Sequence, residues 1–214
     1  MKAKRVSGFV VGAVVFCATL GAGITPALAV DSSKSPSTET VRVEMYPESF
    51  DPKAAKAQGF EIQVNKDGTQ QAVPLTAEAK AAVAQFPELA EPQVVSSTPA
   101  ATRAKLATAR AGDGACGYST LQINPSVRGG LNITTGYASY KGPTIFHKWI
   151  VRGNTVNTAF SEDFTGYNAS TTWSAMHYHP VMGYAHGSGG LGSDSYIRLL
   201  NTLSCRPLNY TTSW

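Results

Sequence analysis

The chain has 214 residues, a formal net charge of +4 and 43% hydrophobic residues. Lys2, Lys4 and Arg5 supply three of the positive charges; residues 31–112 hold nine Lys/Arg against ten Asp/Glu, and residues 113–214 hold six against four. So weak a balance, without a basic stripe interleaved with aromatics, excludes nucleic acid and anionic membrane as expected partners. No stretch after the first thirty residues is long and apolar enough to span a bilayer.

Residues 1–29 read as a removable signal peptide. Three basic residues precede an apolar run from Val10 to Leu20, Pro26 breaks the segment, and Ala27-Leu28-Ala29 offers a small-residue cleavage site before Val30. A spanning helix needs about 20 apolar residues, and Gly21, Gly23 and Pro26 spoil this one. Phe16 stands where a lipidation signal needs a small residue, so Cys17 is expected to leave with the signal. The mature chain is expected to be secreted and extracellular, with no membrane span.

Residues 30–112 form an N-terminal segment, expected to be partly ordered. Residues 31–40 are rich in Ser, Thr, Pro and charge and read as disordered. Val41 to Met45 alternates; Pro52 to Gln58 has the composition of two helical turns; Phe60 to Val64 alternates again before the turn Asn65–Gly68. Thr76 is placed to cap a helix from Ala77 to Phe86 that Pro87 ends. A flexible linker is expected over 87–112, with a basic Ala-rich stretch containing Arg103, Lys105 and Arg110. The segment reads equally as a pro-region cut in that stretch or as a spacer that stays.

Residues 113–214 form the expected β domain. They hold all three Trp, eight of the nine Tyr and all four His, so the core is expected there. Strand patterns run over Tyr118–Ile123, Leu131–Tyr140, Thr144–Val151 (the most apolar, read as a central strand), Thr155–Phe160 and Ser170–Tyr178. A Gly-rich loop is expected over Gly183–Gly192. Ser195–Leu203 fits helix or strand, and Asn209–Trp214 is a short aromatic tail. The fold class is all-β: a small antiparallel β-sandwich or barrel. With Cys17 gone, Cys116 and Cys205 have one intramolecular pairing, which an oxidising compartment makes the default. Closing so long a loop constrains the unfolded chain by about 4–5 kcal/mol in the entropic picture.

This plan resembles that of uncharacterised secreted proteins of actinobacteria. These join a Tyr-Pro-x-x-Phe-Asp-Pro-like stretch and a Gly-(Phe/Tyr)-Glu-Ile stretch, here Tyr46 to Pro52 and Gly59 to Ile62, to a cysteine-closed β domain. The resemblance implies export and the overall plan; it brings no activity and no functional residues.

Three sets of residues carry candidate chemistry. His177 and His179 repeat at the strand period and so share one face; with His186 across the Gly-rich loop they form a candidate zinc set, a catalytic zinc keeping a fourth position for water. A nuclease-like set would draw Glu162, His177 or His179, and Arg152 or Arg198 together. Ser174, Ser188, Ser193 and Ser195 lie near histidines, but Gly187-Ser188-Gly189 lacks the spacing of a nucleophile elbow. Exposed aromatics suit sugars, peptides or wall polymers, and Trp173, Tyr178 and Tyr184 are the expected binding surface. The expected function is a non-enzymatic extracellular or cell-envelope binding module without a cofactor. The alternatives are a small secreted hydrolase or metal-binding enzyme using His177, His179 and His186, and a toxin or antimicrobial domain released by cutting before Gly112.

Overall fold

The computed structural model describes residues 40–95, 115–126, 129–180 and 186–214. The expected signal peptide with Cys17, the basic stretch 100–110 and Tyr184 lie outside the described residues.

The N-terminal segment begins with β1 (Val41–Ser49) and α1 (Pro52–Ala57). Pro52 opens α1, and the Asp51 carboxylate accepts from Ala54 N at 3.0 Å, satisfying one orphan donor of the first turn. A hairpin follows, β2 (Phe60–Val64) and β3 (Gln70–Pro74), then α2 (Ala77–Gln85). Thr76 caps α2 by accepting from Ala79 N at 3.2 Å, as its sequence position predicts.

The remaining strands are β4 (Gly117–Ser126), β5 (Gly130–Ser139), β6 (Thr144–Lys148), β7 (Ile150–Thr155), β8 (Ala159–Asp163), β9 (Thr172–His179), β10 (Gly187–Leu191), β11 (Tyr196–Leu199), β12 (Ser204–Pro207) and β13 (Thr211–Ser213). Among the described residues they build a seven-stranded sheet, ordered β6-β11-β12-β1-β4-β5-β9, and a four-stranded sheet, ordered β13-β10-β7-β8. Every pairing is antiparallel, and the sheets approach a closed barrel. The all-β fold expected from the sequence is therefore observed. So is its disulfide: Cys116, at the entrance to β4, is bonded to Cys205 of β12, with the Cα atoms 6.1 Å apart.

Three readings of the sequence are corrected. First, the core is not confined to the C-terminal hundred residues. Met45, Phe50, Ala55, Phe60, Ala72 and Leu89 are buried in one cluster with Leu121, Ile133, Trp149 and Ile197. The reason is β1, which inserts between β12 and β4, so the strands tied by the disulfide flank it rather than each other. Second, Thr144–Val151 is not one central strand. β6 is an edge of the large sheet, β7 belongs to the small one, and the chain changes sheets at Trp149. That indole is fully buried and donates to Thr135 Oγ1 at 2.8 Å, so the sheet change is anchored by a large apolar ring with its one polar atom satisfied. Third, Gly187–Leu191 is a strand and not a loop. Its glycines let Trp214 and the Tyr210 backbone approach: a Cβ on Gly187 would stand 2.4 Å from the Trp214 ring, and one on Gly190 2.2 Å from Tyr210 O. Ser195–Leu203, which the sequence leaves open between helix and strand, is β11 and a tight turn.

Candidate functional site

The two sheets also meet at β8 and β9. Each is the last strand of its sheet, and among the described residues no backbone ladder joins them. Side chains cross this seam instead. On β9 the alternation turns Trp173, Ala175, His177 and His179 to one face and Met176 and Tyr178 to the other. On β8, Phe160 is buried and Glu162, two residues on, shares its face. Glu162 therefore points across the seam at both imidazoles. His179 Nδ1 contacts Glu162 Oε1, and His177 Nε2 stands 3.4 Å from Glu162 Oε2.

One donor atom from each of Glu162, His177 and His179 lies within 4.8 Å of the others. Donors bound tetrahedrally about 2.1 Å from an ion stand roughly 3.4 Å apart, so small side-chain rotations bring these three onto one ion. Two imidazoles and a carboxylate suit zinc and neighbouring first-row divalent ions and are poor ligands for calcium or magnesium. Burial is graded across the site. Glu162 and His179 have 17% and 22% of their side-chain surface exposed, whereas His177 has 48%. Phe160 wall the His179 side at 5.1 Å between ring centroids, and Phe164 lies 6.3 Å from the His177 ring. An ion held here is backed by apolar rings and open to solvent beside His177.

The group that clusters with His177 and His179 is thus Glu162; His186 is exposed just ahead of β10 and does not belong to the cluster. Glu162 and the two histidines stand together in the nuclease-like set, but Arg152 does not join them: it pairs with Asp194 at 2.9 Å. Arg198 faces Asp51, 4.0 Å away. Asp194 also binds Lys148 at 2.9 Å, and these two cations, Lys148 first, hold its carboxyl down at about 2. Ser195 is fully buried; its hydroxyl donates to Ile150 O and accepts from Ile150 N, so it is no nucleophile.

Two residues of the expected binding surface, Trp173 and Tyr178, do not share a face of β9. Trp173 turns inward, stacked on Tyr137 at 5.6 Å between centroids and tilted against His147 at 4.4 Å. Tyr178 lies on the opposite face of β9, its ring against Gly130, where a Cβ would meet it at 2.7 Å.

The fourth histidine, His147, is part of the core. Its Nε2–H donates to Phe164 O at 2.9 Å, which leaves Nδ1 to accept from the Tyr137 hydroxyl at 3.2 Å. Asn168 Nδ2 donates to the same hydroxyl at 3.2 Å. Burial pushes the His147 pKa down, partly offset by the Phe164 carbonyl, and burial raises that of Tyr137. Both groups are therefore held neutral.

Comparison with protein-family models, with curated proteins and with solved structures finds no significant match to this chain.

Proposed function

We propose that this protein is an exported binding module whose ligand is a divalent transition-metal ion, zinc above all, held by Glu162, His177 and His179. The observation that carries this reading is the convergence of one carboxylate and two imidazoles from opposite sheets to within 4.8 Å. Export is supported by the charged, apolar and small-residue pattern of residues 1–29 and is compatible with the Cys116–Cys205 bond. In the metal-free protein Glu162 serves both imidazoles. An ion would replace those contacts with three coordinate bonds and tie β8 to β9 across a seam that lacks backbone pairing.

The test is metal analysis of protein recovered from culture supernatant and dialysed against metal-free buffer. One equivalent of zinc per chain is expected in the wild type, little in His179→Ala or Glu162→Gln, and an unchanged content in His186→Ala. Retention only inside the cell would contradict export. Equal zinc in all four proteins would contradict the site.

One observation favours a second reading, metal-assisted hydrolysis. The half-exposed flank at His177 leaves an ion a coordination position for water, and zinc lowers the pKa of such a water to about 7. Turnover of an activated ester by the zinc-loaded protein, abolished in Glu162→Gln, is the expected sign; a rate equal to that of free zinc would remove this reading.

A further inference from the structure

We infer that residues 41–95 are a permanent strand-donating partner of residues 115–214, and that the two remain associated as a non-covalent complex when the chain between them is cut. This goes beyond the metal site and bears on release of an active C-terminal domain by proteolysis.

The central contact is β1. It pairs with β4 from Val41 opposite Leu121 to Met45 opposite Gly117, and with β12 from Met45 opposite Pro207 to Ser49 opposite Ser204. β1 therefore fills a slot with backbone donors and acceptors on both walls. Removing it would leave β4 and β12 as two open edges in the middle of a sheet, and edges of that kind seek another strand. Met45 is fully buried, and Tyr46 is buried.

Side chains lock the same interface. Arg206 of β12 donates to both Glu48 carboxylate oxygens, at 3.0 and 2.9 Å. Arg42 lies over the Tyr118 ring, 3.4 Å from its centroid, and donates to Tyr140 Oη at 2.9 Å. The turn after β11 depends on the N-terminal segment as well. Asn201, buried, donates to Leu89 O at 2.6 Å, and Thr202 donates to Asp51 O at 3.1 Å. Thr202 holds φ at +69°, a conformation that a β-branched residue resists and that its surroundings must impose. Leu89 also packs on Gly142, where φ is +105° and a Cβ would come within 2.8 Å of the leucine.

Both cysteines lie on the C-terminal side, so the disulfide does not tether the N-terminal segment. Hydrolysis of a peptide bond between the two parts removes the only covalent link and none of the contacts above. The partner that the β4–β12 slot fits is an extended strand that pairs along both edges and buries Met45, Tyr46 and Pro47 at its centre: residues 41–49 themselves.

The test places a site for a sequence-specific protease within residues 100–110 of the full chain. After complete cutting, the two fragments are expected to co-elute on size exclusion at the volume of the intact protein, and to separate only in denaturant. Each separated fragment is then dialysed into native buffer with its disulfide kept. The C-terminal fragment is expected to regain the near-ultraviolet signal of buried Trp149 and its partly buried neighbour Trp173 only when the N-terminal fragment is present. A C-terminal fragment that elutes alone from native buffer, or recovers that signal unaided, would overturn the inference and restore release as a mechanism.

Discussion

The core around His147 and the seam around His177 and His179 use the same side chain in opposite ways. His147 has each ring nitrogen matched to one partner, Phe164 O and the Tyr137 hydroxyl, and lies under Trp173. At the seam a single carboxylate answers two imidazoles, and one of them is half exposed. A histidine whose bonding capacity is satisfied by fixed neutral neighbours is a packing element. Histidines that share one anion at a solvent-facing edge have capacity left for a ligand. The difference lies in how completely each ring is partnered.

The comparison predicts that damage to the core unfolds the protein, whereas damage to the seam leaves it folded but unable to bind. Trp149→Ala should have the largest effect, about 3–5 kcal/mol of stability lost from a fully buried ring, read as a lowered urea midpoint at unchanged slope. A loss below about 1 kcal/mol would mean that the sheet change at Trp149 is not anchored as described. His147→Leu should come next, since it removes the donor to the buried Phe164 carbonyl and one partner of the Tyr137 hydroxyl, which keeps Thr144 and Asn168, at about 1–3 kcal/mol. At the seam, His179→Ala should change metal-free stability by less than about 1 kcal/mol and weaken zinc binding at least roughly tenfold, or about 1.4 kcal/mol. Equal effects of these two histidine substitutions on stability would erase the contrast.

The smallest effect is with pH. Burial lowers the folded pKa of His147 from its ordinary 6.5, so between those values the unfolded chain binds more protons. His147 therefore supports the fold fully above pH 6.5, and that support drains away as pH falls from 6.5 toward the lowered value. The stability gap between wild type and His147→Asn should narrow over that window. A gap that widens on acidification would mean that His147 is charged in the folded protein.

Much of the fold is legible in the sequence because alternation reports which face of a strand is buried. Val41–Met45, Phe60–Val64, Leu131–Tyr140 and Ser170–Tyr178 all read as strands, and Thr76 as a cap. What alternation cannot report is which strands pair. The insertion of β1 between β4 and β12 is set by contacts more than seventy residues apart in the chain, such as that of Ser119 Oγ with Val43 O. The sheet change at Trp149 is hidden because both sides of it are apolar, and β10 is hidden because its glycines are selected by close approach rather than by strand preference.

The site was half legible. The spacing of His177 and His179 marks a shared face. Nearness in sequence makes His186 the expected third member of the set. Glu162 had a signal of its own, a charged residue in phase with the apolar Phe160, but nothing in the chain says that β8 faces β9 across the seam.

Titrating chelator-treated protein with zinc in a calorimeter, wild type beside Glu162→Gln, decides whether Glu162 and the two histidines hold an ion. One saturable site per chain is expected in the wild type, with affinity reduced at least roughly tenfold in the variant. Absence of saturable binding, or identical isotherms for the two proteins, would contradict this.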